Sequence, residues 1–295
     1  MARKPAHTTP VPAKAHSAEP VIPFALPKKS AIAKERAAKL FDALSAQYPD
    51  ARCELDAQSP LQLLLATILS AQCTDVAVNR ATPALFQAFP VAADFARATP
   101  ALIEPHIRSI GLFRAKAKAI HATCTVLCEK HGGEVPAEID HLLELRGVAR
   151  KTANVVLGNA FGIAAGVVVD THVVRLSARL GLSRATTPVQ IERDLMALFP
   201  RSQWCMLSHL LIFHGRRACK ARGAQCENDA ICQEFCTQGR ASRAARETPE
   251  TSRPKSKQPS QKVASTRRKS PNKYHEFHVK NLHSEASCVP INCVP

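Results

Sequence analysis

Residues 138–162 read EIDHLLELRGVARKTANVVLGNAFG. Ile139, Leu142, Leu143 and Leu145 place an apolar face on a short helix, and Ala153, Val155, Val156 and Ala160 do the same on a second. Arg146-Gly147-Val148-Ala149-Arg150 between them is a tight link. The spacing predicts two short helices joined by a hairpin. Such a turn leaves backbone N–H groups at the start of the second helix free for phosphate. Contacts of that kind position a duplex without reading its sequence. On spacing alone, an ordinary helical hairpin fits equally well. Lys151 tips the balance. It follows Arg150 at the start of the second helix, where positive neighbours and the helix dipole both disfavour an ammonium. A neutral amine there is a nucleophile able to form a Schiff base with a sugar C1′.

Outward from the hairpin, helical patterning continues on both sides. Ala37, Leu40, Phe41 and Leu44 follow i, i+3, i+4, i+7. Ser59-Pro60, Thr99-Pro100 and Thr187-Pro188 signal helix starts. Gly111, Gly132-Gly133 and Gly181 signal stops. Leu61 to Leu69 is apolar nearly all round and predicts a central buried helix. Val167-Val168-Val169 is the one strand-like run, too short to found a sheet. No repeat of solenoid length is present. Asp170, within Val169-Asp170-Thr171-His172-Val173, precedes a new helix. It reads as an N-cap and, at the mouth of a cleft, as a carboxylate that deprotonates a nucleophile or stabilises an oxocarbenium-like sugar. The two roles are compatible.

The chain of 295 residues carries a formal charge of +16, an excess that points to a polyanion such as nucleic acid. Residues 1–36 hold +5 and residues 237–295 hold +8, so 37–236 is left with only +3. Both ends read as basic disordered tails, 1–30 and 237–295. No apolar stretch reaches the ~18 residues of a membrane span, and the N-terminus lacks the apolar region of a secretory signal. Eleven cysteines, an odd number in a chain this long, argue for reduced thiols or metal ligands in the cytoplasm rather than a disulfide scaffold.

Five stretches together resemble the endonuclease III family of helix-hairpin-helix DNA glycosylases. They are Ile68-Leu69-Ser70-Ala71-Gln72-Cys73-Thr74-Asp75, Ile110-Gly111-Leu112-Phe113-Arg114-Ala115-Lys116-Ala117, Leu145 to Ala153, Val169 to Val173, and His214-Gly215-Arg216. The resemblance spans about residues 31–236. It implies an all-α, two-lobed fold: a six-helix domain over 53–163, and a second helical domain of 31–52 plus 164–236 with a C-terminal iron–sulfur loop. It further implies a bifunctional DNA N-glycosylase and AP lyase that removes oxidised pyrimidines in base excision repair. Its partner would be double-stranded DNA with damaged pyrimidines or abasic sites, and the enzyme a monomer associated with the nucleoid. Lys151 falls on the family's Schiff-base lysine and Asp170 on its catalytic aspartate. Gln72 falls on the residue that enters the duplex where the damaged nucleotide has left, and Leu112 on a second wedge. Extrusion costs on the order of a few kcal/mol, and a side chain in the vacated space offsets part of it. Arg146, Gly147, Ala149, Arg150 and Thr152 form the expected backbone grip. A monofunctional mismatch glycosylase and a non-catalytic DNA-binding module are the alternatives.

Two hairpin positions depart from the family, which has Pro where Arg146 stands and Gly where Ala149 stands. If position 149 requires a positive φ, alanine there is strained by roughly 1 kcal/mol. The cysteines depart too. Four close thiols suit zinc or an iron–sulfur cluster, and the family binds [4Fe–4S] through Cys-x6-Cys-x2-Cys-x5-Cys. Cys219, Cys226, Cys232 and Cys236 are spaced x6, x5, x3, with Asp229 and Phe235 at the family's third and fourth positions. Either the loop is redrawn around these four cysteines, the favoured reading, or Asp229 replaces a thiolate, or the cluster is lost.

Overall fold

The computed structural model describes residues 20–222 and 226–236. The expected tail at 237–295, and residues 1–19 of the other, lie outside the described residues. The architecture is all-α, with no strand among the described residues; the valine run at 167–169 joins no sheet. The helices are α1 (Ala31–Gln47), α2 (Pro60–Leu69), α3 (Asp75–Ala88), α4 (Ala92–Arg97), α5 (Pro100–Ile107), α6 (Phe113–His131), α7 (Ile139–Leu143), α8 (Arg150–Ala160), α9 (Thr171–Arg179), α10 (Pro188–Leu198), α11 (Trp204–Arg217) and α12 (Ala230–Phe235). None of the described helices is long and apolar enough to cross a membrane.

Two of the three capping signals act through their side chains. Ser59 Oγ accepts from Gln62 N at 3.2 Å and Thr187 Oγ1 accepts from Gln190 N at 3.4 Å. Thr99 makes no side-chain cap, and Pro100 alone marks that start. Between 53 and 163 there are seven helices, α2 to α8, where six were expected. The shortest but one of these is α4, whose six residues are under two turns and too short to display a period.

The buried apolar side chains form two clusters. One runs from Leu64 to Ala165 and is centred on α2, whose residues Leu63 to Leu69 are all buried. The other joins Ala37 to Ala51 with Val167 to Cys236. Residues 20–30, expected as part of a disordered tail, lie against this second cluster. Ile22, Phe24 and Leu26 are partly buried, with exposed residues alternating between them, and pack on it. Phe24 sits under two guanidiniums, Arg150 at 5.1 Å and Arg193 at 4.4 Å from its ring centroid. Lys29 pairs with Asp194 at 2.6 Å. Three apolar residues at alternate positions were the available signal, and a search for helical periods passes over them.

Helix α8 is packed in the first cluster and bonded to a helix of the second. Ala153, Val156 and Leu157 are buried in the first. On another face, Arg150 Nε donates to both Glu192 oxygens at 3.0 and 2.9 Å, and Asn154 Nδ2 donates to Glu192 Oε1 at 2.9 Å. Glu192, on α10, is 4% exposed. A buried carboxylate requires such partners, and removing one side of the pair strands the other charge. Glu192→Ala should therefore destabilise the fold by about 3 kcal/mol, read as a lower midpoint of chemical denaturation.

Candidate active site

The hairpin takes its turn at Gly147, where φ is +84°, a region closed to most side chains. Ala149 is extended, at φ −92° and ψ 170°. The strain foreseen for alanine at 149 is therefore absent, because the positive φ falls two residues earlier. Thr123 Oγ1 donates to Arg146 O at 2.8 Å, tying the turn to α6. Ala149 caps α8 without a side-chain bond, so the first-turn amides keep their capacity for an outside acceptor. Lys151 and Arg146 are exposed and Thr152 is half-buried. Arg150 is placed differently from the others. Its guanidinium is engaged by Glu192 and Phe24, which fits a clamp on α8 better than a phosphate contact.

Lys151 and Asp170 line one cavity of about 110 Å³ between α8 and α11. Asp170 is the N-cap of α9, its Oδ1 accepting from Val173 N at 2.9 Å. Its Oδ2 lies 2.9 Å from His172 Nδ1. The cap fixes one oxygen and the imidazole holds the other. Sequence reading passed over a second carboxylate here. Asp75, the first residue of α3, lines the same cavity and pairs with Arg216 Nη2 at 2.8 Å. Burial raises the pKa of its carboxyl, the Lys151 charge opposes that rise, and the Asp170 charge adds to it. Asp75 and Arg216 both lay in motifs quoted above, but no spacing rule joins residues 141 positions apart.

Gln72 and Leu112 share an unusual backbone. They are the two non-glycine residues at positive φ among those described, at 55° and 60°. Both are exposed, Leu112 by 62%. Left-handed backbone costs a non-glycine residue about 1–2 kcal/mol, and such strain clusters at functional sites. Exposure of this order excludes a place for Leu112 in the core.

The C-terminal cysteines form a buried cluster. Cys219, Cys226, Cys232 and Cys236 are all buried and free of disulfides. Cys232 and Cys236 are four residues apart, with Cys236 N donating to Cys232 O at 3.0 Å. One turn of α12 thus replaces the longer family spacing. Ligand atoms of His214, Cys219 and Cys232 lie within 4.8 Å of one another. The hydrogen bond between Cys219 and Cys232 lowers the pKa of the Cys219 thiol, with Arg179 adding to the effect. That bond and burial push the Cys232 thiol up. Arg179 Nη1 donates to Cys219 Sγ at 3.2 Å. Asp229 is engaged elsewhere: Oδ1 caps α12 from Cys232 N at 2.8 Å, and Oδ2 accepts from Gln47 at 2.8 Å. A carboxylate so occupied is a poor substitute for a thiolate, whereas Cys219 and Cys232, with Cys226 and Cys236 also buried, are soft sulfurs of the kind an iron–sulfur group takes.

A family model described as HhH-GPD superfamily base excision DNA repair protein matches residues 65–201. The endonuclease III of Synechocystis sp. is 52% identical over 215 residues, covering 73% of this chain and 98% of its own. That of Bacillus subtilis is 44% identical over 197 residues, covering 65% and 90%. A solved structure of a trapped endonuclease III–DNA covalent intermediate, an estranged-adenine complex, matches with a TM-score of 0.67 at 41% identity. It covers 71% of this chain and 98% of that one.

His209 gives the site a pH signature. Burial pushes its pKa from 6.5 down to about 4, so the folded protein holds it neutral. Below pH 6.5 the unfolded chain takes up the proton and the folded one resists. Stability is then full above pH 6.5 and declines towards pH 4, by up to about 3 kcal/mol. Urea denaturation across that range should show the decline, and His209→Gln should flatten it.

Proposed function

Because the chain belongs to the endonuclease III family, within the HhH-GPD superfamily of base excision DNA repair proteins, we infer that it is a DNA N-glycosylase and AP lyase. The observation that carries the mechanism is Lys151 and Asp170 on one cavity. Its substrate would be DNA carrying oxidised pyrimidines, and it would act as a monomer in the cytoplasm, close to the nucleoid. The two apolar clusters correspond in this reading to the two lobes, 53–163 and 31–52 plus 164–236, with the cavity between them.

The exposed amine of Lys151 attacks C1′ of the extruded nucleotide. The C1′–N bond breaks, its electron pair leaving with the base, which takes up a proton. Asp170, aligned by Val173 N and His172, accepts the proton shed by the attacking nitrogen and stabilises positive charge at C1′. The C1′–O4′ bond then breaks, its electron pair going to O4′, which takes up a proton, and the opened sugar carries an iminium at C1′ that acidifies C2′. Loss of a C2′ proton then expels the 3′ phosphate by β-elimination. Gly147, the first-turn amides of α8, Arg146 and Thr152 hold the backbone. Gln72 and Leu112, already set in left-handed backbone, fill the gap in the duplex. Arg150 supports the grip indirectly by fixing α8.

Cys219, Cys226, Cys232 and Cys236 would hold a [4Fe–4S] cluster. Bound there, it would tie α12 and the loop after α11 into a rigid unit whose basic residues Lys220 and Arg222, both exposed, approach phosphate. This role is structural rather than redox.

Borohydride should trap a covalent complex between the wild type and abasic DNA, while Lys151→Ala should trap none. Equal trapping by both would overturn the mechanism. Asp170→Asn keeps the cap, so it should fold normally and lose roughly 10²–10⁴-fold in rate. Iron and acid-labile sulfide analysis should find about four of each per chain. Cys232→Ser should lose them, and Asp229→Ala should keep them at a cost of about 1 kcal/mol in stability.

A further inference from the structure

The cavity extends beyond the lysine. Lys151, Val155 and Asn159 follow i, i+4, i+8 along α8, and all three line it. At 1.5 Å per residue, Asn159 lies about 12 Å further along the axis than Lys151. That is a distance on the scale of a nucleoside. Across from Asn159, α11 supplies Cys205, Ser208 and His209. The helices meet closely because position 158 is glycine: a Cβ there would sit 2.8 Å from Cys205 Sγ.

The polar groups at this end differ in what they have left to offer. Ser208 Oγ donates to Trp204 O at 3.1 Å and accepts from Val168 N at 3.0 Å. Asn159 Nδ2 donates to Val155 O at 2.8 Å. That bond sets the amide's orientation, since a flipped amide would face oxygen to oxygen. Asn159 Oδ1 then accepts from His209 Nε2 at 2.8 Å. A primary amide has two N–H groups and two lone pairs. One of each is used, leaving one N–H and one lone pair on the same amide.

We propose that Asn159, held by Val155 and His209, reads the polar edge of the extruded pyrimidine at the far end of the cavity. The inference rests on the glycosylase reading above and extends it to base recognition. A thymine-derived base presents N3–H beside O4, and a cytosine-derived base presents N3 beside the N4 amino group. Each edge is one donor next to one acceptor, and the spare N–H and lone pair of Asn159 complement either. The site therefore accepts oxidised derivatives of both bases. Asn159 is the specificity residue. His209 is a positioning residue that acts through it.

The test uses the full-length protein and two duplexes of identical sequence, one carrying 5,6-dihydroxy-5,6-dihydrothymine and the other an abasic site. The abasic duplex has no base to read. Asn159→Leu removes the donor and the acceptor, and Asn159→Asp keeps the shape while removing the donor. In single-turnover reactions both should lower the ratio of base release to abasic-site cleavage, by about tenfold or more for Asn159→Leu. His209→Gln should lower it less. Thermal melting confirms that each variant is folded. Equal losses on both duplexes, or no loss on either, would overturn the inference while leaving the repair reading intact. A wild type inactive on both duplexes would overturn the repair reading and this inference with it.

Discussion

The carboxylate of Glu192 governs how the two halves of the described chain are set against each other. It is buried, so its charge must be answered within the protein. Arg150 and Asn154 answer it from α8, whose apolar face is in one cluster while Glu192 projects from a helix of the other. Glycine at 166 keeps room for it, since a Cβ there would collide with Glu192 Oε1. Phe24 closes over Arg150 from the outside. Lys151 is the next residue along α8 and Asp170 begins α9. A small error in the α8–α10 contact would therefore become an error in the spacing of the two side chains that line the cavity.

The hairpin was legible because its signal is local. Two short apolar faces and a glycine link leave few alternatives, and the glycine proved to hold the positive φ. Alanine at 149 looked like a defect only because the demand for positive φ was assigned two residues too late. The N-terminal strap was missed for a different reason. Its apolar residues alternate with a period of two, without the turn signals that would mark a strand, and such a segment pairs with no sheet here. Arg150 entered the expected backbone grip through the family resemblance. Its partner Glu192 is 42 residues away and nothing local announces it.

The cavity's interior was the least legible part. Asp75, Asn159 and His209 come from three helices, and each is unremarkable in its own stretch of chain. Asn159 and His209 are 50 residues apart. Their meeting depends on Gly158, which in the sequence is merely a poor residue for a helix interior. The cysteines lay between these extremes. Their closeness was plain, but the x5, x3 spacing made sense only once α12 formed, because a spacing of three between Cys232 and Cys236 is one helical turn. Asp229, which fell at a family ligand position, turned out to start that turn.

The second apolar cluster takes residues from both sides of the first in the chain, 37–51 before it and 167–236 after it. During synthesis the stretch from 64 to 165 leaves the ribosome as a contiguous piece and can complete its own core. Residues 20–51 emerge earlier yet have nothing to fold against. Lys29 waits for Asp194, 165 residues later, and Arg36 waits for the carbonyl of Phe235, 199 residues later. Such long-range closure is slow. The first of the described segments is therefore among the last to find its place, and until it does Ile22, Phe24 and Leu26 remain open to a chaperone.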